Sequence, residues 1–384
     1  MPPELLPVDD LATLRGRRSA KWRAGAPDVL PLTIAEMDFG LAPAVQDVLR
    51  DAVERADTGY GHAQPELGAA LAGFAGRRWG WEIDPARVTA TTDVSTGVVH
   101  LLRLIARPGE AVVMNTPVYP PFYEWLDEAG VRRVEVPLDG AGLDLAALEC
   151  AFAGRPAAFL LCNPQNPTGR AHRPDELAAV IELARRYEVT VVSDEIHAPL
   201  VLPGATFTPL LSVPGAAEVA LSVVSTSKAW NLAGLKCAAI VSGSPATTAI
   251  TDRLPPDLRW RVGHFGVLAS VAAFEEGEEW LDRLLLTLDD RRRFLGELLE
   301  RHLPAVFWRP PEATFLAWLD CAGLPTGEDS ARAFLDHGRV ALEPGVKFGS
   351  HTADHVRLNF ATGRDLLEEA VVRMADAVDK ASRA

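Results

Sequence analysis

Residues 225–236 read Ser225-Thr226-Ser227-Lys228-Ala229-Trp230-Asn231-Leu232-Ala233-Gly234-Leu235-Lys236. Lys228 is flanked by hydroxyl side chains and is followed by a glycine-containing turn and a second cation, Lys236. A lysine in this setting can bond covalently to an aldehyde while the neighbouring donors hold a phosphate group. Most lysines in loops rich in serine and threonine are solvated surface residues, so this interpretation needs support from other parts of the chain.

Short apolar runs alternate with helical patterns across the middle of the chain. Residues Pro174–Tyr187 carry apolar side chains at helical spacing, with a proline and two acids at the start. The apolar runs are nearly continuous, as in strands covered on both faces. Alternation of such strands with helices predicts an α/β architecture with a mainly parallel sheet. The predicted strands are Ala111–Met114, Ala158–Leu161, Val189–Val192, Val219–Val224 and Cys237–Val241.

The pattern changes after the middle of the chain. A long helical pattern runs from about Gly277 to His302, and short strands are predicted at Phe315–Leu319 and Val356–Phe360. This order is typical of an α+β unit. The predicted division is a large domain at residues 46–284 and a small α+β domain formed by residues 1–45 and 285–384.

Bulk properties exclude several classes of protein. The 384 residues are 48% apolar and 23% charged, which is ordinary for a soluble protein. The formal charge of −14 argues against a nucleic-acid partner. No apolar run approaches membrane-spanning length, and the N-terminus lacks the pattern of a secretory signal. Widely spaced cysteines without a CxxC pair favour reduced thiols and a cytoplasmic location. They are Cys150, Cys162, Cys237 and Cys321.

Polar residues follow three of the predicted strands. Asn166, Asp194 and Lys228 each lie beyond the carboxyl end of an apolar run, where ligands of open α/β sheets collect. Taken alone, Asp194 could be a helix cap or turn residue, and Asn166 could simply shape an Asn-Pro turn. Together they predict that three loops converge on one site.

Three runs in this order resemble the pyridoxal-phosphate (PLP) enzymes of fold type I, the class I/II aminotransferase family. The runs are residues 163–169 (Asn-Pro-Gln-Asn-Pro-Thr-Gly), 193–197 (Ser-Asp-Glu-Ile-His) and 225–236. The resemblance implies an aspartate aminotransferase-like large domain and pyridoxal 5′-phosphate as cofactor. It also implies that Lys228 bonds the cofactor and later moves the substrate's Cα proton, and that Asp194 keeps the ring nitrogen protonated.

The same resemblance assigns further contacts to the cofactor ring. Asn166 would donate to the 3′-oxygen of the ring, and Tyr119, in a proline-rich run, matches the aromatic residue that stacks on it. His197 belongs to the same set, although common aminotransferases carry tyrosine there. Tyr119 and Asn166 are also expected to contact substrate.

A phosphate site is predicted where a helix begins. Glycine at a helix N-terminus allows close approach of an anion, and a helical pattern runs from Gly97 to Ala106. Ser225 and Lys236 would complete the site. The predicted phosphate contacts are Gly97, Val98, Val99, Ser225 and Lys236.

A tyrosine near the N-terminus implies a homodimer. Tyr60 stands between Gly59 and Gly61, at the place where family members reach the phosphate of the neighbouring subunit. The alternative for Tyr60 is a core aromatic residue.

Arg357 alternates with apolar neighbours, as in a half-buried strand. The resemblance implies that its guanidinium clamps the substrate's α-carboxylate, which suits its planar geometry. The alternative is a salt-bridged surface arginine. His351 and His355 have a spacing that metal sites use, but no third ligand supports one, so no metal is predicted.

Four runs point to one branch of the family. Residues 34–39, 194–197, 311–318 and 343–349 are similar to the cystathionine β-lyase subgroup, with Ala35 on the substrate side; Ala313 stands where that subgroup often has glycine. The implied function is a carbon–sulfur β-lyase that cleaves cystathionine or another cysteine S-conjugate to thiol, pyruvate and ammonia. An aminotransferase, or another PLP reaction on a modified amino acid in a specialised biosynthetic pathway, uses the same residues and stays open. A regulator with this fold would be expected to carry an added DNA-binding domain, and only a short arm precedes the fold here.

Overall fold

The computed structural model describes residues 5–61, 65–140 and 142–382. The outermost parts of the predicted small domain, residues 1–4 and 383–384, lie outside the described residues. Seven strands form the central sheet, and neighbours run parallel except where Ala238–Ser242 pairs antiparallel with both of its partners. This confirms the predicted, mainly parallel sheet. In spatial order the strands are Val88–Thr91, Ala238–Ser242, Ala220–Val224, Thr190–Asp194, Ala158–Cys162, Ala111–Thr116 and Arg132–Pro137.

Helices cover both faces of this sheet. Because successive strand residues point to opposite faces, Val112 and Met114 join one apolar cluster while Val113 joins another. The first cluster includes helices Val94–Ile105 and Pro121–Ala129, and the second includes Leu145–Ala153 and Pro174–Tyr187. The other α-helices are Leu11–Gly16, Ala20–Arg23, Pro43–Glu54, Glu66–Trp79, Pro245–Thr251, Asp257–Trp260, His264–Glu276, Glu278–His302, Ser330–Gly338 and Arg364–Ala381.

The apolar runs became strands within one or two residues of their predicted ends. Two strands of the central sheet were not predicted, Val88–Thr91 and Arg132–Pro137. Both lie at the edges of the sheet. Arg132–Pro137 has mostly exposed side chains, and charged residues of this kind are typical of edge strands.

A second sheet follows the long helix Glu278–His302. It is antiparallel, and its strands in spatial order are Glu343–Pro344, His355–Asn359, Leu316–Asp320 and Phe307–Trp308. A short parallel pair of Leu30–Pro31 with Val340–Ala341 joins the N-terminal arm to this part of the chain. The predicted boundaries near residues 45 and 284 fall inside helices Pro43–Glu54 and Glu278–His302, and the domain division stays a prediction. The remaining elements are 3₁₀ turns at Pro85–Arg87, Ala198–Leu200, Leu210–Ser212, Ala233–Leu235, Gly327–Asp329 and Gly345–Lys347.

Candidate active site

Three neighbouring parallel strands deliver the predicted polar residues to one place. Asp194 is the last residue of its strand, and Asn166 and Lys228 follow the two strands that pair with it, so all three lie at the carboxyl ends of neighbouring strands. All three residues line a cavity of about 170 Å³, here called the inner cavity. A second cavity of about 820 Å³, the outer cavity, shares Lys228 and Tyr119 with it. The site therefore has an inner and an outer compartment that meet at Lys228.

The amine of Lys228 lies between the two compartments. Its Nζ donates a hydrogen bond to the carbonyl oxygen of Ala35 at 3.0 Å. Burial, and then the nearby Arg357 cation, lower the pKa of Lys228 to about 8. An amine with this pKa is partly neutral near physiological pH and can act as a nucleophile or a base.

Asp194 is buried at the wall of the inner cavity. Its Oδ1 accepts a hydrogen bond from the Ile196 backbone N–H at 3.0 Å. Burial raises the pKa of Asp194 to about 7, while this hydrogen bond and Lys228 oppose the shift. A carboxyl group in such surroundings is stabilised in its charged form by a cationic ligand. The position suits a protonated ring nitrogen.

His197 presents an orphaned polar atom to the same cavity. Among the described residues its buried Nδ1 has no hydrogen-bond partner. Burial lowers the pKa of His197 to about 3, so the imidazole is neutral. A buried polar atom without a partner fits a cavity that takes a polar ligand.

The helix at the inner cavity begins earlier than predicted. Its first residue is Val94 and its N-cap is Asp93, so the prediction that Gly97 opens the helix was wrong. Gly97 donates its backbone N–H to Asp93, and a Cβ at Gly97 would lie 3.1 Å from Thr91, which explains the glycine as a packing residue. The neighbouring Val98 and Val99 are buried in the core. The residues at the start of this helix that line the cavity are Thr92, Asp93, Val94 and Ser95, of which the first two precede the helix.

Ser225 and Lys236 stand at the same end of the inner cavity. The Ser225 hydroxyl donates to the carbonyl of Cys237 at 2.7 Å and accepts from the Ser227 amide at 3.1 Å. Lys236 Nζ lies 3.1 Å from Oδ2 of Asp93, so the cation is held beside the helix N-terminus. A cation next to the first turn of a helix is a setting that favours an anion such as phosphate.

Arg357 is buried at the outer cavity, which contradicts its interpretation as a surface arginine. Its Nη1 donates to Oδ1 of Asn166 at 3.1 Å, and its Nη2 donates to the carbonyl of Thr33 at 2.9 Å. The guanidinium lies 5.0 Å from the centre of the Phe348 ring. Tyr119 lines both cavities, and burial raises the pKa of its hydroxyl.

Tyr60 lies on the surface, 83% exposed, so it is not a core aromatic residue. Its ring packs edge-on against Trp260 with 6.1 Å between centroids. Trp260 is itself 60% exposed. Tyr60 lines neither cavity of its own chain.

The sequence did not reveal how the loop at residues 33–39 is held. The Asn231 side chain bonds both backbone groups of Met37 at 2.9 Å, and Asn359 Nδ2 donates to two carbonyls of the loop at 2.7 Å. Lys21 and Asp38 form a buried ion pair at 2.8 Å. These contacts join residues far apart in the chain, so no local pattern could identify them. They fix the Ala35 carbonyl that Lys228 contacts.

His351 and His355, whose spacing in the sequence is one that metal sites use, do not belong to the same group of possible metal ligands in the described part of the chain. His355 instead lies near Asp320 and Asp354, with ligand atoms within 4.8 Å of one another, and His351 is not in this group. His355 Nδ1 is 2.6 Å from Asp354, and its ring stacks on Trp318 at 5.0 Å. These contacts account for the position of the imidazole.

The chain has extensive similarity to known proteins. A model of the family described as Aminotransferase class I and II matches residues 27–374. The chain is 47% identical to a Mycobacterium tuberculosis protein named "Putative cystathionine beta-lyase", over 96% of this chain and 97% of that protein. It is 37% identical to "Cystathionine beta-lyase" of Corynebacterium glutamicum, over 95% of this chain and 98% of that protein.

A solved structure has the same fold over its whole length. The "putative plp-dependent beta-cystathionase" of Corynebacterium diphtheriae superimposes with a TM-score of 0.93 at 34% identity, covering 97% of this chain and 99% of that one. The predicted resemblance and fold class are therefore confirmed. The chain belongs to the class I and II aminotransferase family.

Proposed function

We propose that this protein is a PLP-dependent carbon–sulfur β-lyase that cleaves cystathionine or another cysteine S-conjugate. The observation that carries the proposal is the position of the Lys228 amine between two compartments, one with Asp194 and the other with Arg357. The names of the similar proteins from Corynebacterium glutamicum and Corynebacterium diphtheriae support the same chemistry.

The inner cavity has the donor set that PLP requires. Lys228 would bond its aldehyde, Asp194 would hold a proton on its ring nitrogen, and Asn166, Tyr119 and His197 would contact the ring. The phosphate would lie at the start of helix Val94–Ile105, with Ser225 and Lys236. When bound, PLP supplies an electron sink for the electron pair left at the substrate's Cα.

The side chains divide the work on the substrate. Arg357 and Asn166 would orient the α-carboxylate, and the substrate's Cα would then lie in the cavity that Arg357 and Lys228 both line. The Lys228 amine, kept partly neutral by burial, would remove the Cα proton. Ala35 and its neighbours close the substrate side. In the net reaction the Cβ–S bond breaks, the sulfur leaves with the bonding pair and gains a proton, and one water yields pyruvate and ammonium.

The functional unit is proposed to be a cytoplasmic homodimer. An exposed aromatic pair, Tyr60 and Trp260, is consistent with a surface that a second subunit covers. The four cysteines are free thiols, which agrees with a reducing compartment. No helix among the described residues has the length and apolar character needed to cross a membrane. The large domain at 46–284 and the small domain of 1–45 and 285–384 are proposed as the structural units.

The test measures products and the cofactor together. Purified protein is mixed with L-cystathionine or S-alkyl cysteines while pyruvate, thiol and the visible absorbance of the bound cofactor are followed. We expect equal amounts of pyruvate and thiol, with both lost in Lys228→Ala. A coloured enzyme that releases no pyruvate but converts to the pyridoxamine form with amino donors would instead be an aminotransferase. Failure to bind PLP after reconstitution would overturn the proposal.

A further inference from the structure

The start of helix Val94–Ile105 carries a negative charge beside the positive one. Asp93 caps this helix, and its Oδ1 accepts the backbone N–H of Thr96 at 2.8 Å. Its other oxygen, Oδ2, lies 3.1 Å from Nζ of Lys236. Both side chains line the inner cavity. The phosphate of the cofactor, in the position proposed above, would lie beside this carboxylate.

Asp93 is ionised at neutral pH. Burial opposes its ionisation, but the hydrogen bonds from Thr96 and the contact with Lys236 outweigh burial, so the pKa of Asp93 is lowered from the ordinary 3.8. Its side chain is 31% exposed, so solvent screens the charge only in part. A carboxylate is therefore a fixed part of this end of the cavity.

Within the described part of the chain, only two other charged groups line the inner cavity, Asp194 and Lys228. The proposed function assigns them to the ring nitrogen and the aldehyde of the cofactor, away from its phosphate. Asp93 and Lys236 remain at the phosphate end, where their formal charges cancel. Burial disfavours the charged forms of the other ionisable groups of the lining, which are Tyr119, Cys162, His197 and Cys237.

This end of the cavity still offers hydrogen-bond donors to a phosphate. Val94 and Ser95, the first two residues of the helix, line the cavity, and N–H groups at these positions have no acceptor within a helix. The ammonium group of Lys236 has three donors, so it can bind Asp93 and a phosphate oxygen together. Two anions held by one ammonium group lie close together, and each then favours the protonated form of the other.

The phosphate is the partner that holds the proton. The second pKa of a phosphate monoester is about 6, well above the pKa of Asp93. A phosphate that keeps this proton has a hydroxyl group, which can donate to the carboxylate of Asp93. A phosphate that loses it is a dianion beside a carboxylate, and the two repel each other.

We propose that Asp93 keeps a proton on the phosphate of the bound cofactor, so that PLP binds as a phosphate monoanion that donates to Asp93. The position of that phosphate rests on the proposed function. The main form of free PLP at neutral pH is the phosphate dianion, so its binding takes up a proton from the solvent. Asp93 therefore weakens cofactor binding, and it does so more strongly as the pH rises.

Cofactor affinity tests the proposal without reference to catalysis. Asp93→Asn removes the charge and keeps the helix cap, because asparagine and aspartate cap helices about equally well. In absorbance titrations of the cofactor-free protein at pH about 8, we expect Asp93→Asn to bind PLP about threefold to tenfold more tightly than wild type. This difference should shrink toward pH about 6. Pyridoxal, which has the aldehyde but no phosphate, should bind both proteins equally.

Phosphorus NMR of the holoenzyme observes the phosphate itself, because its chemical shift changes when the second proton leaves. We expect the midpoint of this change to lie about one pH unit lower in Asp93→Asn than in wild type. Asp144→Asn is the matched control, because Asp144 also caps a helix, accepting the N–H of Ala147 at 2.9 Å, but lines neither cavity. It should change neither the midpoint nor the affinity for PLP.

The outcomes separate this proposal from the lyase function. Weaker PLP binding in Asp93→Asn, or a midpoint that does not move, would show that Asp93 only caps the helix and holds Lys236, and would overturn the proposal. If PLP binding responds to Asp93→Asn as expected but no conjugate is cleaved, the lyase function fails and the role of Asp93 stands. If conjugates are cleaved and the two proteins bind PLP equally, the lyase function stands and the role of Asp93 fails.

Discussion

At the scale of single residues, the titration of Lys228 sets the chemistry that the site can perform. Burial and Arg357 lower its pKa to about 8 from the ordinary 10.5, and only the neutral form of an amine is nucleophilic. In the cofactor-free protein, we expect acetylation of Lys228 to rise with pH to a midpoint near 8 and then level off. Mass spectrometry of the peptide containing Lys228 measures the rate.

Arg357→Met provides the comparison for this prediction. Removing the guanidinium removes the charge that disfavours protonation of Lys228, so the midpoint should move upward. A wild-type midpoint near 10.5, or no change in Arg357→Met, would show that the amine is not in the environment described here.

The ionised form of Asp194 is expected to favour catalysis but to lower the stability of the cofactor-free protein. Its folded-state pKa of about 7 exceeds the ordinary 3.8, so the folded chain binds this proton more tightly than the unfolded chain does. In the cofactor-free protein, ionisation of Asp194 therefore removes stability as the pH rises from about 4 to about 7, and the loss is constant above that range. Its size is roughly 4 kcal/mol.

Asp194→Asn should separate the two effects. Relative to wild type, the free energy of unfolding of the cofactor-free variant should increase by roughly 4 kcal/mol between pH about 4 and pH about 8, as followed by urea denaturation. Glu195 is also buried and has a raised pKa, but it is present in both proteins, so its contribution largely cancels in the difference between them. The loaded variant should lose at least about 100-fold in kcat/KM. A pH-independent difference in stability would contradict the assignment.

At the scale of elements, the loop at residues 33–39 is positioned by side chains rather than by a sheet or helix. Asn231 has a left-handed backbone, with φ 59°. Its side-chain amide accepts a hydrogen bond from the Met37 N–H and donates one to the Met37 carbonyl, as a neighbouring strand would. It connects this loop to the run that carries Lys228. We expect Asn231→Ala to lower kcat/KM about tenfold, mainly by raising KM, because Ala35 on the loop lines the outer cavity, where the substrate is proposed to bind.

Two comparisons test this positioning role by steady-state kinetics. Asn231→Asp keeps the acceptor for the Met37 amide and loses the donor, so it should recover part of the activity. Gln46→Ala breaks a similar bond to the Leu41 carbonyl (2.9 Å) away from the site, and its KM should stay unchanged. Equal losses in Asn231→Ala and Gln46→Ala would mean that Asn231 acts only on stability.

At the scale of the whole molecule, the sequence predicted the local motifs and most of the buried strands. It missed the buried strand Val88–Thr91, in which threonines interrupt the apolar run. Runs such as Ala158–Leu161 are apolar because both faces of the strand are covered, so burial leaves a direct trace in composition. The exposed edge strand Arg132–Pro137 leaves no such trace. The predicted helix start at Gly97 was wrong because this glycine is needed for packing on Thr91. A glycine in a sequence can serve packing as well as anion binding, and the sequence does not distinguish the two. The Asn231–Met37 pairing was invisible because its partners are distant in the chain.

The assembly is the largest-scale prediction. Trp260 and Tyr60 form an exposed aromatic pair on one surface, and a subunit interface would remove these rings from water. Trp260→Asp should therefore convert the protein from a species with twice the mass of the chain into a monomer in sedimentation velocity.

Phe307→Asp is the matched control, since Phe307 is similarly exposed, at 66%, but lies on the edge strand of the second sheet. It should leave the sedimentation unchanged. Because Tyr60 is predicted to reach the neighbouring subunit's phosphate, the monomer should also bind PLP more weakly. A wild-type monomer with full activity would refute both the interface and this role of Tyr60.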